Sequence, residues 1–168
     1  MAKKLPVAIT IEEFTELIKH TNKPKHKLAF LLGFGSGMRI SEIIHLQQAD
    51  VDLKLKRILI KQGKGSKDRI VPIPKGFKDS FMALLPLNLS VRALQRAFLR
   101  ACVRSKININ KPTIHFHSLR HGFATRLVNQ GVPIHHVRNM MGHTNISTTN
   151  VYLEANPVDS LKSYEEFF

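Results

Sequence analysis

The sequence predicts a mostly α fold with one small antiparallel β-sheet (α+β), and three observations carry that expectation. Apolar residues recur at helical spacing in both halves of the chain, behind capping residues such as Thr10 and Ser90. Between these stretches the period changes. Arg57-Ile58-Leu59-Ile60-Lys61 and Arg69-Ile70-Val71-Pro72-Ile73 are short runs of branched residues, and Gly63-Lys64-Gly65-Ser66-Lys67-Asp68 between them is a glycine-rich hairpin loop. Finally, 168 residues with 43% hydrophobic content suffice for one domain with a real core, and no repeat or Gly/Ser linker divides them.

Taken in order, Thr10-Ile11-Glu12-Glu13 is a capping box opening a helix that turns Phe14, Leu17 and Ile18 inward. A lysine-rich turn from Asn22 to Lys27 leads to a mostly buried helix, Leu28 to Phe34, which Gly35-Ser36-Gly37 breaks. Ser41-Glu42 opens a third helix carrying Ile43, Ile44 and Leu46. Val51 to Leu53 is the candidate for a third, short strand, and Pro72, which has no N–H, places its strand at a sheet edge or at its own end. Helices follow from Phe77 to Leu85, then behind Ser90 from Val91 to Arg104, with Leu94, Ala97, Phe98 and Ala101 inward. The next runs from Ser118 to Gln130, stopped by Gly131; Pro133 starts another, His135 to Met141. Ser147 caps a short helix or turn carrying Tyr152.

Charge narrows the function classes. Lys and Arg total 26 against 12 Asp and Glu, a formal net charge of +14 that suits a polyanion, nucleic acid above all. An anionic membrane is the competing polyanion, but no helix sets a broad basic face opposite Trp, Phe and Leu, and Trp is absent. Cys102 is the single cysteine and sits in an apolar stripe, so it reads as a core residue rather than part of a disulfide or zinc knuckle. Leu28 to Phe34 is the longest apolar run and too short to span a bilayer, and Met1 to Pro6 precede no signal-peptide core. The expectation is a soluble, cytoplasmic chain without membrane contact.

Several residues could do chemistry. Arg39 follows flexible glycines at a helix start, where a guanidinium can grip a phosphate; taken alone, it reads equally as the ion-pair partner of Glu42. Lys64, between two glycines, can approach a phosphate and donate a proton to a leaving oxygen, although in isolation a solvated basic loop with Lys61, Lys67 and Arg69 on backbone phosphates is the better reading. His117 and Arg120 lie three apart at a helix start and project from one face, with His121 within reach. Leu119, Phe123, Ala124, Leu127 and Val128 supply the buried face, which leaves the polar set looking outward. A His117/His121 pair also suits zinc, but the helix lacks the metalloprotease Glu and no acidic third ligand is near, so no metal is expected. His143 at a helix end and Tyr152 beyond it would not be chosen singly.

Together, Gly37-Met38-Arg39-Ile40-Ser41-Glu42, Gly63-Lys64-Gly65, His117-x-x-Arg120-His121, Gly142-His143 and Tyr152 resemble the catalytic domain of the tyrosine recombinases, the phage-integrase and Xer-like family. The match runs from about Ile9 to about Tyr152 and includes Val71-Pro72-Ile73 and Ile146-Ser147-Thr148-Thr149. The resemblance implies the tyrosine recombinase catalytic-domain fold and site-specific cleavage and rejoining of double-stranded DNA, with no cofactor, metal or ATP.

By the same resemblance, Arg39 and Arg120 clamp the scissile phosphate, and Lys64 protonates the departing 5′ oxygen, with Lys61 and Lys67 as alternatives in a loop of variable length. His117 assists proton transfer, and His143 hydrogen-bonds the non-bridging oxygens. Tyr152 forms the 3′-phosphotyrosyl link. Lys61, Lys67, Arg69 and His121 are expected to touch DNA. The family carries an N-terminal DNA-clamping domain, for which residues 1–168 leave no room, so the chain reads as a single catalytic domain. The expected assembly is a homo-oligomer, a tetramer on DNA and a monomer when free, with the tail of residues 153–168 docking through Tyr164-Glu165-Glu166-Phe167-Phe168 in trans on a neighbouring copy or, equally, on this chain's own core.

Overall fold

The computed structural model describes residues 7–61 and 68–142. Lys64, Lys67, His143, Tyr152, the Ser147-capped segment and the tail lie outside the described residues.

Helix α1 (Ile11–Lys19) begins at the expected capping box: the Thr10 hydroxyl accepts from the Glu13 N–H at 3.2 Å, and the Glu13 carboxylate accepts from the Thr10 N–H at 2.8 Å. Phe14 and Leu17 are buried, and the Phe14 ring stacks on Phe34 at 4.1 Å. Helix α2 (Pro24–Gly35) starts four residues before its expected Leu28, because Pro24 is preorganised for a first helical position. Leu28, Ala29, Phe30, Leu32, Gly33 and Phe34 are all buried, so apolar contacts surround α2 and it becomes the central helix. Helix α3 (Ile40–His45) follows within a few residues of it and packs against it.

The sheet is antiparallel, in the order β1 (Val51–Asp52), β2 (Arg57–Ile60), β3 (Arg69–Pro72). Ile58 pairs with Val71, and Ile60 with Arg69. Pro72 sits at the end of an edge strand, where its missing N–H disturbs no ladder. The helix expected from Phe77 to Leu85 is only a 3₁₀ segment, Asp79–Leu84. Pro86 disfavours the helical region at the residue before it, and Leu85 is extended (φ −90°, ψ 140°).

Helix α4 (Val91–Arg104) has the expected bounds, with the Ser90 hydroxyl accepting from the Ala93 N–H at 3.1 Å. A four-residue helix, α5 (Ile107–Asn110), follows that the sequence did not announce. Helix α6 (His117–Asn129) packs along α2, and α7 (Ile134–Met141) packs on α6 and β3. Phe30 meets Phe98 and Phe116 edge-on at 5.6 and 5.9 Å, joining α2, α4 and the start of α6. A second apolar cluster of Phe123, Ala124, Val137 and Met141 fastens α7 to α6. These two packings bring the N-terminus of α6 and the C-terminus of α7 beside the turn between α2 and α3. Among the described residues, no helix is long and apolar enough to cross a membrane.

Candidate active site

The turn from α2 to α3 needs a left-handed residue, and Gly37 supplies it at φ +65°. A Cβ there would stand 2.4 Å from Phe123 Cδ1, so Gly37 also allows α6 its close approach. The Gly37 carbonyl then accepts from Arg120 Nη1, which ties the second arginine to the turn that carries the first.

Arg39 is the residue before α3, and it makes the ion pair with Glu42 that was one of the two readings open for it. Its backbone N–H donates to Glu42 Oε2 at 2.7 Å and its Nη1 to Glu42 Oε1 at 2.9 Å, while the side chain keeps 35% exposure. Its Nη2 donates to the Gly142 carbonyl at 2.9 Å. Arg120 corrects one expectation: it does not look outward but is 1% exposed, with Nη2 donating to the Met141 carbonyl. Burial is possible because backbone carbonyls meet its fork, which satisfies a charge that would otherwise be costly to desolvate.

Arg69 departs from its grouping with the surface cations. It lies on the inner face of β3 at 8% exposure. Its Nη1 and Nη2 hold Glu42 Oε1 and Oε2 at 2.8 and 2.7 Å, and its Nε donates to the Met140 carbonyl at 2.8 Å. Burial favours the neutral acid at Glu42, but hydrogen bonds from Arg69 and the Arg39 N–H, with the charge of Arg69, outweigh it and hold the carboxyl below its usual range. Three successive carbonyls at the end of α7, those of Met140, Met141 and Gly142, thus receive Arg69, Arg120 and Arg39 in turn. Gly142 closes that helix in the left-handed region at φ +61°.

His117 opens α6 and its ring meets His121 at 4.8 Å, nearly perpendicular, and the His115 ring lies 6.3 Å from His117 and 6.4 Å from His121. Desolvation, then the charges of Arg120, His115 and Arg39, push His117 down to about 4, with Glu42 opposing. Solvent still reaches the side chain, so the cationic neighbours are the cause that geometry supports best. Among the described residues, no group of three or more His, Cys, Asp or Glu is placed to hold a metal ion. Lys61 stands apart at 64% exposure, paired with Asp50 at 2.6 Å, and that carboxylate raises its pKa.

The structure therefore unites Arg39, His117 and Arg120, sets His121 beside them, and links Arg69 through Glu42. Sequence reasoning missed a second basic surface. Arg92, Arg96, Arg100 and Arg104 are all exposed along α4, a helix without an acidic residue. With Lys23 and His26, the last three rim a groove of about 490 Å³ floored by Leu89 and Ala97. The spacing of four residues was legible; the apolar stripe Leu94, Phe98, Ala101 drew attention to the opposite face.

The profile of the phage integrase family matches residues 8–158. The chain is 33% identical to tyrosine recombinase XerA of Thermococcus kodakarensis, over 98% of this chain and 63% of that protein. It is 32% identical to tyrosine recombinase XerD of Staphylococcus epidermidis over the same shares, so it spans 63% of the length of these curated relatives. Among solved structures, it resembles XerA recombinase (TM-score 0.77, 24% identity, 98% of this chain and 66% of that one). XerH bound to palindromic difH substrate gives TM-score 0.78 at 23% identity, over 96% of this chain and 53% of that one. The catalytic domain of bacteriophage HP1 integrase gives 0.68 at 24%, over 88% and 87%.

Proposed function

This chain belongs to the phage integrase family of tyrosine recombinases, and on that footing we propose that it is the part that breaks and rejoins DNA strands at specific sites. The observation that carries the reading is the convergence of Arg39, from the start of α3, and Arg120, from α6, on adjacent carbonyls at the end of α7, with His117 alongside. Two guanidiniums fixed before substrate arrives are what a developing phosphorane charge requires.

In this reading Arg39 meets the scissile phosphate from the solvent side and Arg120 from the interior. Tyr152 attacks phosphorus; the Tyr152 oxygen–phosphorus bond forms as the bond to the 5′ oxygen breaks. Lys64 gives that oxygen its proton, and His143 holds a non-bridging oxygen. A free tyrosine has a pKa of about 10 and is almost wholly protonated at neutral pH. His117, kept neutral well below neutral pH by desolvation and by its cationic neighbours, offers a nitrogen to take the phenolic proton. The phosphotyrosyl bond conserves the energy of the broken one, and another 5′ hydroxyl reverses the step to complete exchange. Lys61, Lys67, His121 and the α4 arginines hold the flanking backbone phosphates. Double-stranded DNA is the substrate, and a tetramer of chains on DNA, with tails docked in trans, is the assembly.

The test is a denaturing gel of the protein incubated with supercoiled plasmid and with nicked duplexes, beside a Tyr152→Phe variant. A protein-linked DNA band formed without metal and lost in the variant is the expected result. DNA retarded on native gels but never joined to protein, on substrates that include its own target, would make the chain a DNA-binding module instead.

A further inference from the structure

Glu42 poses a question of charge. It contacts Arg39, the more exposed of the two arginines assigned to the phosphate, and a carboxylate beside a phosphate ligand competes with the phosphate for it. The geometry shows how that competition is blunted. Arg69 takes both carboxylate oxygens in a parallel fork, at 2.8 and 2.7 Å, whereas Arg39 offers the carboxylate a single guanidinium nitrogen at 2.9 Å. The Arg69 side chain is 7% exposed against 35% for Arg39, so the Arg69 pair is the drier and stronger of the two. Its Nε bond to the Met140 carbonyl and its backbone pairing with Ile60 leave the fork no other orientation.

We propose that Arg69 is a positioning residue of this site, the fixed counter-ion of Glu42 that leaves the charge of Arg39 for the DNA phosphate. The inference rests on the phosphate-binding role proposed above for Arg39 and Arg120. Among the described residues, three guanidiniums and one carboxylate give the cluster a surplus of two positive charges. Without Arg69 the surplus is one, and Glu42 turns to Arg39 as its remaining guanidinium partner. Arg69 itself stays beneath the site and need not touch the phosphate. Lysine cannot replace it fully, since an ammonium presents no planar fork.

The test separates charge balance from packing. Inorganic phosphate is titrated into the protein at neutral pH and low salt, with the imidazole C–H resonances of His117 as reporter, and melting temperatures show that each variant is folded. Wild type should give a saturable shift. Arg69→Gln should weaken phosphate binding about tenfold, and adding Glu42→Gln should bring it back to within about threefold of wild type, because the competing carboxylate is gone. A merely structural Arg69 would leave the double variant as weak as the single one, and that result overturns the inference, as does an Arg69→Gln protein that binds phosphate like wild type. Should Arg69→Gln not fold, Arg69→Lys replaces it; affinity equal to wild type overturns the proposal, and an intermediate affinity supports it. If His117 in wild type ignores phosphate altogether, the anion site fails and both readings fall together. A wild-type response without the variant pattern removes only the role of Arg69.

Discussion

Replacing Gly37 by Ala perturbs the joint on which the site turns. Two costs follow from the structure. The residue sits at φ +65°, where a side chain costs about 1–2 kcal/mol. Its new Cβ would lie 2.4 and 2.7 Å from Phe123 Cδ1 and Cε1, an overlap that must be relieved by moving a ring that is 1% exposed. Overpacking of that kind costs about 1–3 kcal/mol. The sum is roughly 2–5 kcal/mol, a large share of a domain stability of about 5–15 kcal/mol. For a domain of this size, a loss of about 3 kcal/mol lowers the melting temperature by roughly 6–12 °C. Urea unfolding of wild type, Gly37→Ala, Phe123→Leu and the double variant measures both parts. In the Phe123→Leu background the clash should shrink, leaving mainly the backbone cost. A loss below about 1 kcal/mol, or an equal loss in both backgrounds, would refute the assignment of Gly37 to this contact.

Other expectations are simpler to check. His117 is depressed to about 4, so as pH falls the unfolded chain binds that proton first; its share of stability is present above about pH 6.5 and is lost towards pH 4. NMR titration of the imidazole gives the pKa directly, and a value near 6.5 would dissolve the electrostatic frame drawn around Arg120 and Arg39. Burial pushes the Cys102 thiol up to about 12, so a disulfide reagent at about pH 8 should react only as fast as the protein unfolds. Affinity for duplex DNA should fall by several decades between about 50 and 200 mM salt, and replacing Arg96 and Arg100 by Ala should lower the log–log slope by roughly one for each phosphate no longer neutralised; a slope unchanged by both would take α4 off the DNA surface.

Much of this was legible because local rules met no opposition. The Thr10 capping box, the Ser90 cap and the hairpin strands are written in short stretches, and the fold obeys them. Arg69 was not, and the reason is parity. In a strand, side chains alternate, but Ile70 and Val71 are both branched and apolar, so either phase fits the sequence. Only the pairing of Ile58 with Val71 against the core puts Arg69 on the inner face with Glu42. Arg120 misled for a related reason. Its charge suggested solvent, and nothing within α6 says that carbonyls from Gly37 and Met141, distant in sequence, will satisfy it indoors.

That convergence explains why the site depends on the whole fold. A helix C-terminus presents carbonyls without intrahelical partners and the negative end of its dipole, a natural seat for cations. At the end of α7, three guanidiniums fill that seat, one each from β3, α6 and the start of α3. The arginines therefore cap α7 while α7 orients the arginines, so a shift of the helix end acts on both. Lengthening α7 by one residue before Met140 would rotate its last carbonyls by about 100° and withdraw all three from their arginines at once. Loss of phosphate binding and loss of stability should then appear together in that variant, whereas Tyr152→Phe should lose strand cleavage and keep both.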